Sequence, residues 1–256
     1  MNTKIAMLQL KVDFNRAEDN FGRAAEEIAK AAALGCRCAV LPECFDIGWG
    51  LPNALRYADS IPGARTEALG VLARQHGIYI VAGLTENERG RCYNTAVIIS
   101  DRGDLLGKHR KINVLRGVED MVYATGDRLG VYETPFGRVG VNICADNLSP
   151  HLELGRGLAA MGAQIILSPC AWAVPPEDAA ERKPYGETWR GPYAALTHEY
   201  GIWVVGVSNV GDVSEGVWAG WKCIGNSIAM PPEGAPLIME YGEDAQSMGV
   251  VEINLA

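Results

Sequence analysis

Apolar and polar positions along the chain alternate between a strand period and a helix period, and the switch recurs from end to end. Lys4–Leu10 reads as a strand. Phe21, Ala24, Ala25, Ile28, Ala31 and Ala32 then share one face of a helix over Arg16–Leu34. Asn15 is the expected N-cap, Glu18 three residues on completes a capping box, and Gly35 is the stop. Cys38–Leu41 predicts a buried strand and Ala64–Gln75 a helix stopped by Gly77. Ile78–Leu84 and Asn94–Ser100 predict strands, followed by a turn at Asp101–Asp104. An alternating run from Gly137 leads into Cys144, and Ser149 as N-cap with Pro150 as first helical residue predicts a helix over Pro150–Met161. Gln164–Ser168 and Trp203–Asn209 read as strands around a helix at Thr188–Tyr200. Asn226–Met230, Leu237–Tyr241 and Met248–Asn254 read as closing strands. Pro175–Pro184, rich in Pro, Glu and Asp, reads as a loop, either a lid or pocket wall or a plain surface connection.

Alternation this regular predicts an α/β protein rather than segregated helices and strands. No interdomain linker, repeat or low-complexity segment interrupts it, so a single domain over residues 1–256 is expected. Composition fits: 48% apolar and 21% charged residues are ordinary for a globular chain of 256 residues. The formal charge of −8 argues against nucleic acid or an anionic membrane as partner. No apolar run approaches the roughly 18 residues of a spanning helix. The N-terminus lacks a signal-peptide core and enters a strand directly. Seven cysteines, an odd number, read as reduced thiols in a cytoplasmic protein, with Cys36 and Cys38 as small buried residues.

Three residues stand where chemistry collects in α/β sheets, at expected carboxyl ends of strands. Glu43 closes Cys38-Ala-Val-Leu-Pro-Glu43, Lys111 closes Leu105-Leu-Gly-Lys-His-Arg-Lys111, and Cys144 closes Gly140-Val-Asn-Ile-Cys144. A thiol is a strong nucleophile only as thiolate. A carboxylate can take its proton and return it to a leaving amine. An ammonium favours the thiolate and stabilises an oxyanion. The set suffices for acyl transfer from an amide with no metal, cofactor or histidine. By spacing alone it is weak, because a chain this long has many such residues at strand ends. His151 offers a rival Cys–His pair, but it should sit on an exposed helix face.

The surrounding motifs are more specific. Leu41-Pro42-Glu43 with Gly48-Trp49 resembles the glutamate motif of the nitrilase (carbon–nitrogen hydrolase) superfamily. Asn94-Thr-Ala-Val-Ile-Ile, Gly103 and Gly107-Lys-His-Arg-Lys111 resemble its lysine block, and Gly140–Asp146 its cysteine block. Glu119-x-x-x-Tyr123-x-x-Gly126 resembles a second glutamate motif, and Gly225-Asn-Ser-Ile228 with Gly234 a late strand pair. The motifs keep the family's order and cover essentially the whole chain.

The resemblance implies a four-layer α-β-β-α sandwich of the nitrilase type and an amidase-like hydrolase. It implies Cys144 as nucleophile, Glu43 as general base, Lys111 as oxyanion stabiliser, Glu119 as a second carboxylate, and the Ala145 N–H as oxyanion donor. A thioester acyl-enzyme would form and be hydrolysed by water. Two departures leave the substrate open: Cys144-Ala-Asp146-Asn-Leu-Ser-Pro150 lacks the aromatic residue and Arg-Phe-Pro-Glu-like run common after the cysteine, and Asn113 replaces a histidine two residues past Lys111. Small linear amides, ω-amides or N-carbamoyl compounds are expected; a nitrile is the alternative, and a non-catalytic scaffold is the rival from another class. Trp172, Trp49 and Tyr123 are expected to line the substrate pocket. Trp189, Trp218 and Trp221 belong to the pocket, an interface or the core, and Arg190, Arg182 and Lys183 to a carboxylate subsite or the solvated surface. A homo-oligomer, dimer or larger, is expected by resemblance, with the small residues Gly155, Gly157, Ala159 and Ala160 permitting close packing.

Overall fold

The two periods become strands and helices in the predicted order. The computed structural model describes residues 2–149, 151–181 and 187–255. In chain order the elements are β1 (Asn2–Gln9), α1 (Ala17–Ala33), β2 (Cys38–Val40), α2 (Ala64–His76), β3 (Tyr79–Glu88), β4 (Arg91–Ile99), β5 (Leu105–Arg110), β6 (Gly130–Thr134), β7 (Gly137–Val141), α3 (Leu152–Ala160), β8 (Ile165–Cys170), β9 (Ala173–Val174), α4 (Pro176–Ala180), α5 (Glu187–Tyr200), β10 (Trp203–Ser208), β11 (Val210–Asp212), β12 (Lys222–Ile224), β13 (Ile228–Met230), β14 (Leu237–Ile238) and β15 (Ser247–Asn254). One sheet runs β15-β1-β2-β3-β4-β5 and a second β14-β13-β10-β8-β7-β6; a small sheet, β11-β12-β9, stands apart from both.

Successive strand side chains point to opposite faces, and here both faces are apolar. Ile5, Met7, Val40, Val81, Ala96 and Ile98 of the first sheet share a core with Val139, Val141, Ile165, Leu167 and Val205 of the second. The alternate residues of the first sheet, Ala6, Leu8, Ala39, Leu41, Ile80 and Ala82, pack instead with Ala24, Ile28 and Ala31 of α1 and Leu69 and Ala73 of α2. Helices α3 and α5 pack on each other and on β7 and β10. The order is therefore helix, sheet, sheet, helix, as the family resemblance implies. Gly155 sets the α3–α5 approach within the chain, since a Cβ there would lie 2.6 Å from Leu196 Cδ1.

Several local expectations are corrected. Helix α1 is entered through Arg16 with no side-chain cap, while Asn15 takes a left-handed φ of 54°. The amide of Asn20 does the local bonding, joining Asp13 and Asp46 backbone groups. Helix α3 starts at Leu152 with His151 before it, rather than at Ser149–Pro150, and Pro150 lies outside the described residues. Within the expected loop Pro175–Pro184, residues Pro176–Ala180 form a short helix. Arg182, Lys183 and Pro184 lie outside the described residues. Strands β3 and β4 are longer than predicted, joined by Arg89 and Gly90 at φ 52° and 78°, the two-residue turn that suits strand twist.

Candidate active site

Glu43, Lys111 and Cys144 lie just past strands rather than on them. Strand β2 ends at Val40, β5 at Arg110 and β7 at Val141. The Glu43 N–H donates to Cys170 O at 3.1 Å, tying the first sheet to the second. Gly83 lies beneath it: a Cβ there would stand 2.5 Å from Glu43 Cα, so only glycine lets β3 approach this closely. Lys111 continues the ladder through its N–H, 2.8 Å from Asn94 O.

The side chains converge in the interior. Lys111 Nζ lies 2.8 Å from Glu43 Oε1 and 2.6 Å from Glu119 Oε1. Asn94 Nδ2 donates to Glu43 Oε1 at 2.6 Å, and Trp49 Nε1 to Glu119 Oε1 at 2.6 Å. The Leu115 N–H donates to Glu119 Oε2 at 2.8 Å. All three charged groups are buried. Glu43 Oε2 is buried without a hydrogen-bond partner among the described residues.

Cys144 opens a 3₁₀ turn over Cys144–Asn147 with a left-handed φ of 43°. For a non-glycine residue this costs of order 1 kcal/mol or more and is held only by its surroundings. The surroundings are specific. The Cys144 N–H donates to Ser168 Oγ at 3.0 Å, and Asn147 Nδ2 donates to the same oxygen at 3.1 Å. Asn142 and Asn147 exchange side-chain amide bonds of 2.6 and 2.9 Å. Ser168 belongs to β8, which runs parallel beside β7 in the register Val141 to Leu167. The Ala145 N–H stands in the first turn, where helical groups lack partners within the helix.

Burial sets the acid–base state. It pulls Lys111 down, but Glu119 and Glu43 hold it well above the lysine range, so it stays an ammonium. Burial raises Glu43 above the usual carboxylate range against the opposing pull of Lys111. It raises Cys144 well above an ordinary thiol, helped by Cys170 and Glu43 and opposed by Lys111. Burial thus favours a neutral thiol in a centre whose fixed cation is Lys111. Proton transfer from Cys144 to Glu43 would leave its total charge unchanged.

The other predicted residues take the following places. The Tyr123 hydroxyl accepts from the Gly50 N–H at 3.0 Å and meets Cys44 Sγ at 3.6 Å, anchoring the loop after Glu43. Trp172 follows β8 as predicted, buried and stacked on Trp189 at 4.7 Å. Trp49, Trp218 and Trp221 form a second aromatic row, with centroids 4.8 and 4.4 Å apart. His151 is exposed, as expected. Sequence reasoning gave no role to Asn94, His109, Asp146 or Ser168. Part of their signal was available: Asn94 opens the apolar run to Ile99, and His109 lies two before Lys111, at the spacing that shares a strand face. Among the described residues no group of three or more His, Cys, Asp or Glu is arranged to hold a metal ion.

Comparison with known proteins agrees with this architecture. The carbon–nitrogen hydrolase family model matches residues 4–256. A nitrilase from Pyrococcus abyssi is 33% identical over 258 residues, covering 98% of this chain and 90% of its own. An omega-amidase from Danio rerio is 36% identical over 178 residues, 66% of this chain; the match spans 63% of the relative's own length, under two thirds. An amidase from Nesterenkonia sp. AN1, solved in complex with acrylamide, superposes with a TM-score of 0.82 at 22% identity, over 99% of this chain and 91% of its own, and shows the shared fold. With the family model matched over nearly every residue, the chain belongs to the carbon–nitrogen hydrolase family.

Proposed function

We propose that the protein hydrolyses the C–N bond of a small linear amide, ω-amide or N-carbamoyl compound through a thioester on Cys144. The observation that carries this is Glu43. One of its oxygens is bonded to Asn94 and Lys111, and the other is buried with no partner among the described residues. An unsatisfied buried carboxylate oxygen costs free energy in a resting fold. It is useful where a proton must be received.

In this reading Glu43 takes the Cys144 proton as Sγ attacks the amide carbonyl carbon. The oxygen becomes an alkoxide, stabilised by the Lys111 ammonium and the Ala145 N–H. Glu43 returns the proton to the leaving nitrogen, the C–N bond breaks, and the thioester remains. Glu43 then deprotonates water, which displaces the thiol and releases the acid. Lys111, locked between two carboxylates, is a fixed positive charge rather than a proton donor. Glu119 and Trp49 hold it in place, while Tyr123 and Trp172 shape the pocket behind the nucleophile.

Intact-protein mass spectrometry with a panel of small amides, N-carbamoyl amino acids and nitriles tests the reading, with ammonia followed in parallel. The expected result is an adduct on Cys144 that Cys144→Ala abolishes. No adduct and no ammonia across the panel would favour a scaffold. The 33% identity to a nitrilase over 98% of the chain keeps a nitrile substrate as second reading; there the nitriles alone would be turned over.

We further propose one domain per chain, a homo-oligomeric assembly and a cytoplasmic location. Seven free, buried cysteines support a reducing compartment. No described helix is long and apolar enough to cross a membrane. Exposed Met161 and Tyr200, at the ends of α3 and α5, support a contact surface there, which light scattering would test.

A further inference from the structure

His109 and Asp146 take no part in that chemistry, yet both are buried and paired at 2.8 Å between Nε2 and Oδ2. His109 Nδ1 lies 3.1 Å from Arg128 O. Both ring nitrogens therefore face oxygen atoms. Asp146 is saturated. Its Oδ1 accepts from the Asn113 N–H at 2.7 Å and the Ile112 N–H at 3.2 Å, and its Oδ2 from the Ile143 N–H at 3.0 Å. Asn113 adds a bond from Nδ2 to Ala145 O at 2.5 Å.

Apart from the contact with Arg128, these bonds lie within or between two segments. His109, Ile112 and Asn113 flank Lys111 on both sides, whereas Ile143, Ala145 and Asp146 flank Cys144 on both sides. We propose that the His109–Asp146 pair, with Asn113, is a positioning clamp that sets the Lys111 ammonium and the Ala145 N–H against Cys144 Sγ. The inference rests on the hydrolytic reading above. It assigns to Asn113 a structural duty at the position where the sequence departs from the family pattern. Although burial pulls Asp146 upward, His109 and the Asn113 N–H hold it below the usual carboxylate range, as an anion built into the fold.

A buried hydrogen-bonded pair can also be a mere core contact, and the two roles separate kinetically. The test compares His109→Leu, His109→Gln and Asn113→Ala with the parent. Ammonia release from propionamide gives kcat and KM, and iodoacetamide alkylation of Cys144 reports thiol reactivity, which needs no oxyanion donor. A clamp predicts that His109→Leu lowers kcat about 100-fold, the scale of an ångström's misalignment, with KM and alkylation changed less than about threefold. His109→Gln, which can still donate to Asp146, should recover about tenfold of that loss. Asn113→Ala should give the same signature more weakly, and carries the test if His109→Leu fails to fold. Parental kcat in Asn113→Ala and in folded His109→Leu overturns the clamp, as does a loss confined to KM or no rescue by Gln. If the parent itself releases no ammonia and forms no adduct, the hydrolytic reading fails and the clamp with it.

Discussion

Trp49 donates its indole N–H to Glu119 Oε1 at 2.6 Å, the same oxygen that Lys111 Nζ meets at 2.6 Å. Trp49→Phe keeps the aromatic contact with Trp218 and removes only this donor. A hydrogen bond to a buried charge is worth about 1.5–3 kcal/mol, so urea unfolding should show a loss of that size. Ammonia release should slow as well, because Lys111 then leans on a less restrained partner.

Lys111→Met removes the cation bonded to both Glu43 and Glu119. Breaking a buried pair from one side costs about 3–5 kcal/mol, so the variant should melt earlier than the parent. Acylation of Cys144 should fall below detection even where the protein remains folded. A variant that acylates at the parental rate would falsify the oxyanion role.

Gly83→Ala tests the closeness of strand and base. Its Cβ would meet Glu43 Cα at 2.5 Å and Pro42 O at 2.7 Å, both backbone atoms that cannot swing aside. Displacing Glu43 by about an ångström should lower kcat roughly 100-fold. The measurement is kcat beside a circular-dichroism melt.

Cys144→Gly and Cys144→Ala should both be inactive but should differ in stability. At φ 43° glycine relieves a strain that alanine retains. The offset is its own chain entropy, so a net advantage of up to about 1 kcal/mol for glycine is expected. Equal melting of the two would mean that the turn stores no strain.

The pH dependence follows from three groups. Glu43 sits above 4.5 in the folded protein through burial, so the acid limb of kcat/KM should lie above the ordinary carboxylate range. Asp146 sits below 3.8, so its contribution to stability is full above 3.8 and is lost as pH falls through the lower folded value. Lys111 sits well above 10.5, so its contribution is full below 10.5 and is lost only as pH climbs through the higher folded value. Stability followed by chemical unfolding should therefore fall at both extremes, and Asp146→Asn should flatten the acid side.

The layer order and the gathering of Glu43, Lys111, Glu119 and Cys144 were legible because apolar strands and ordered motifs are local signals. What was not legible depends on partners distant in sequence. Cys144 reads as the end of an alternating strand, yet its 3₁₀ turn is imposed by Ser168 and Asp146. Asn15 is a good cap by residue type, but its backbone is left-handed and Asn20 bonds the loop instead. Strand β6 was not read at all: Gly130-Val-Tyr-Glu-Thr134 is short and half-exposed and holds only through its pairing with β7. His109 is unremarkable until Asp146, 37 residues on, faces it.

The pairing of β1 with β15 has a kinetic consequence. Asn2–Gln9 meets Ser247–Asn254 in antiparallel register along its whole length. During synthesis β1 emerges well before β15, and its outer row of N–H and C=O groups stays unpaired until every strand between them has followed. An unpaired apolar strand edge is a template for intermolecular association. Yield in the cell should therefore depend on chaperone capacity more than the stability of the finished fold would suggest.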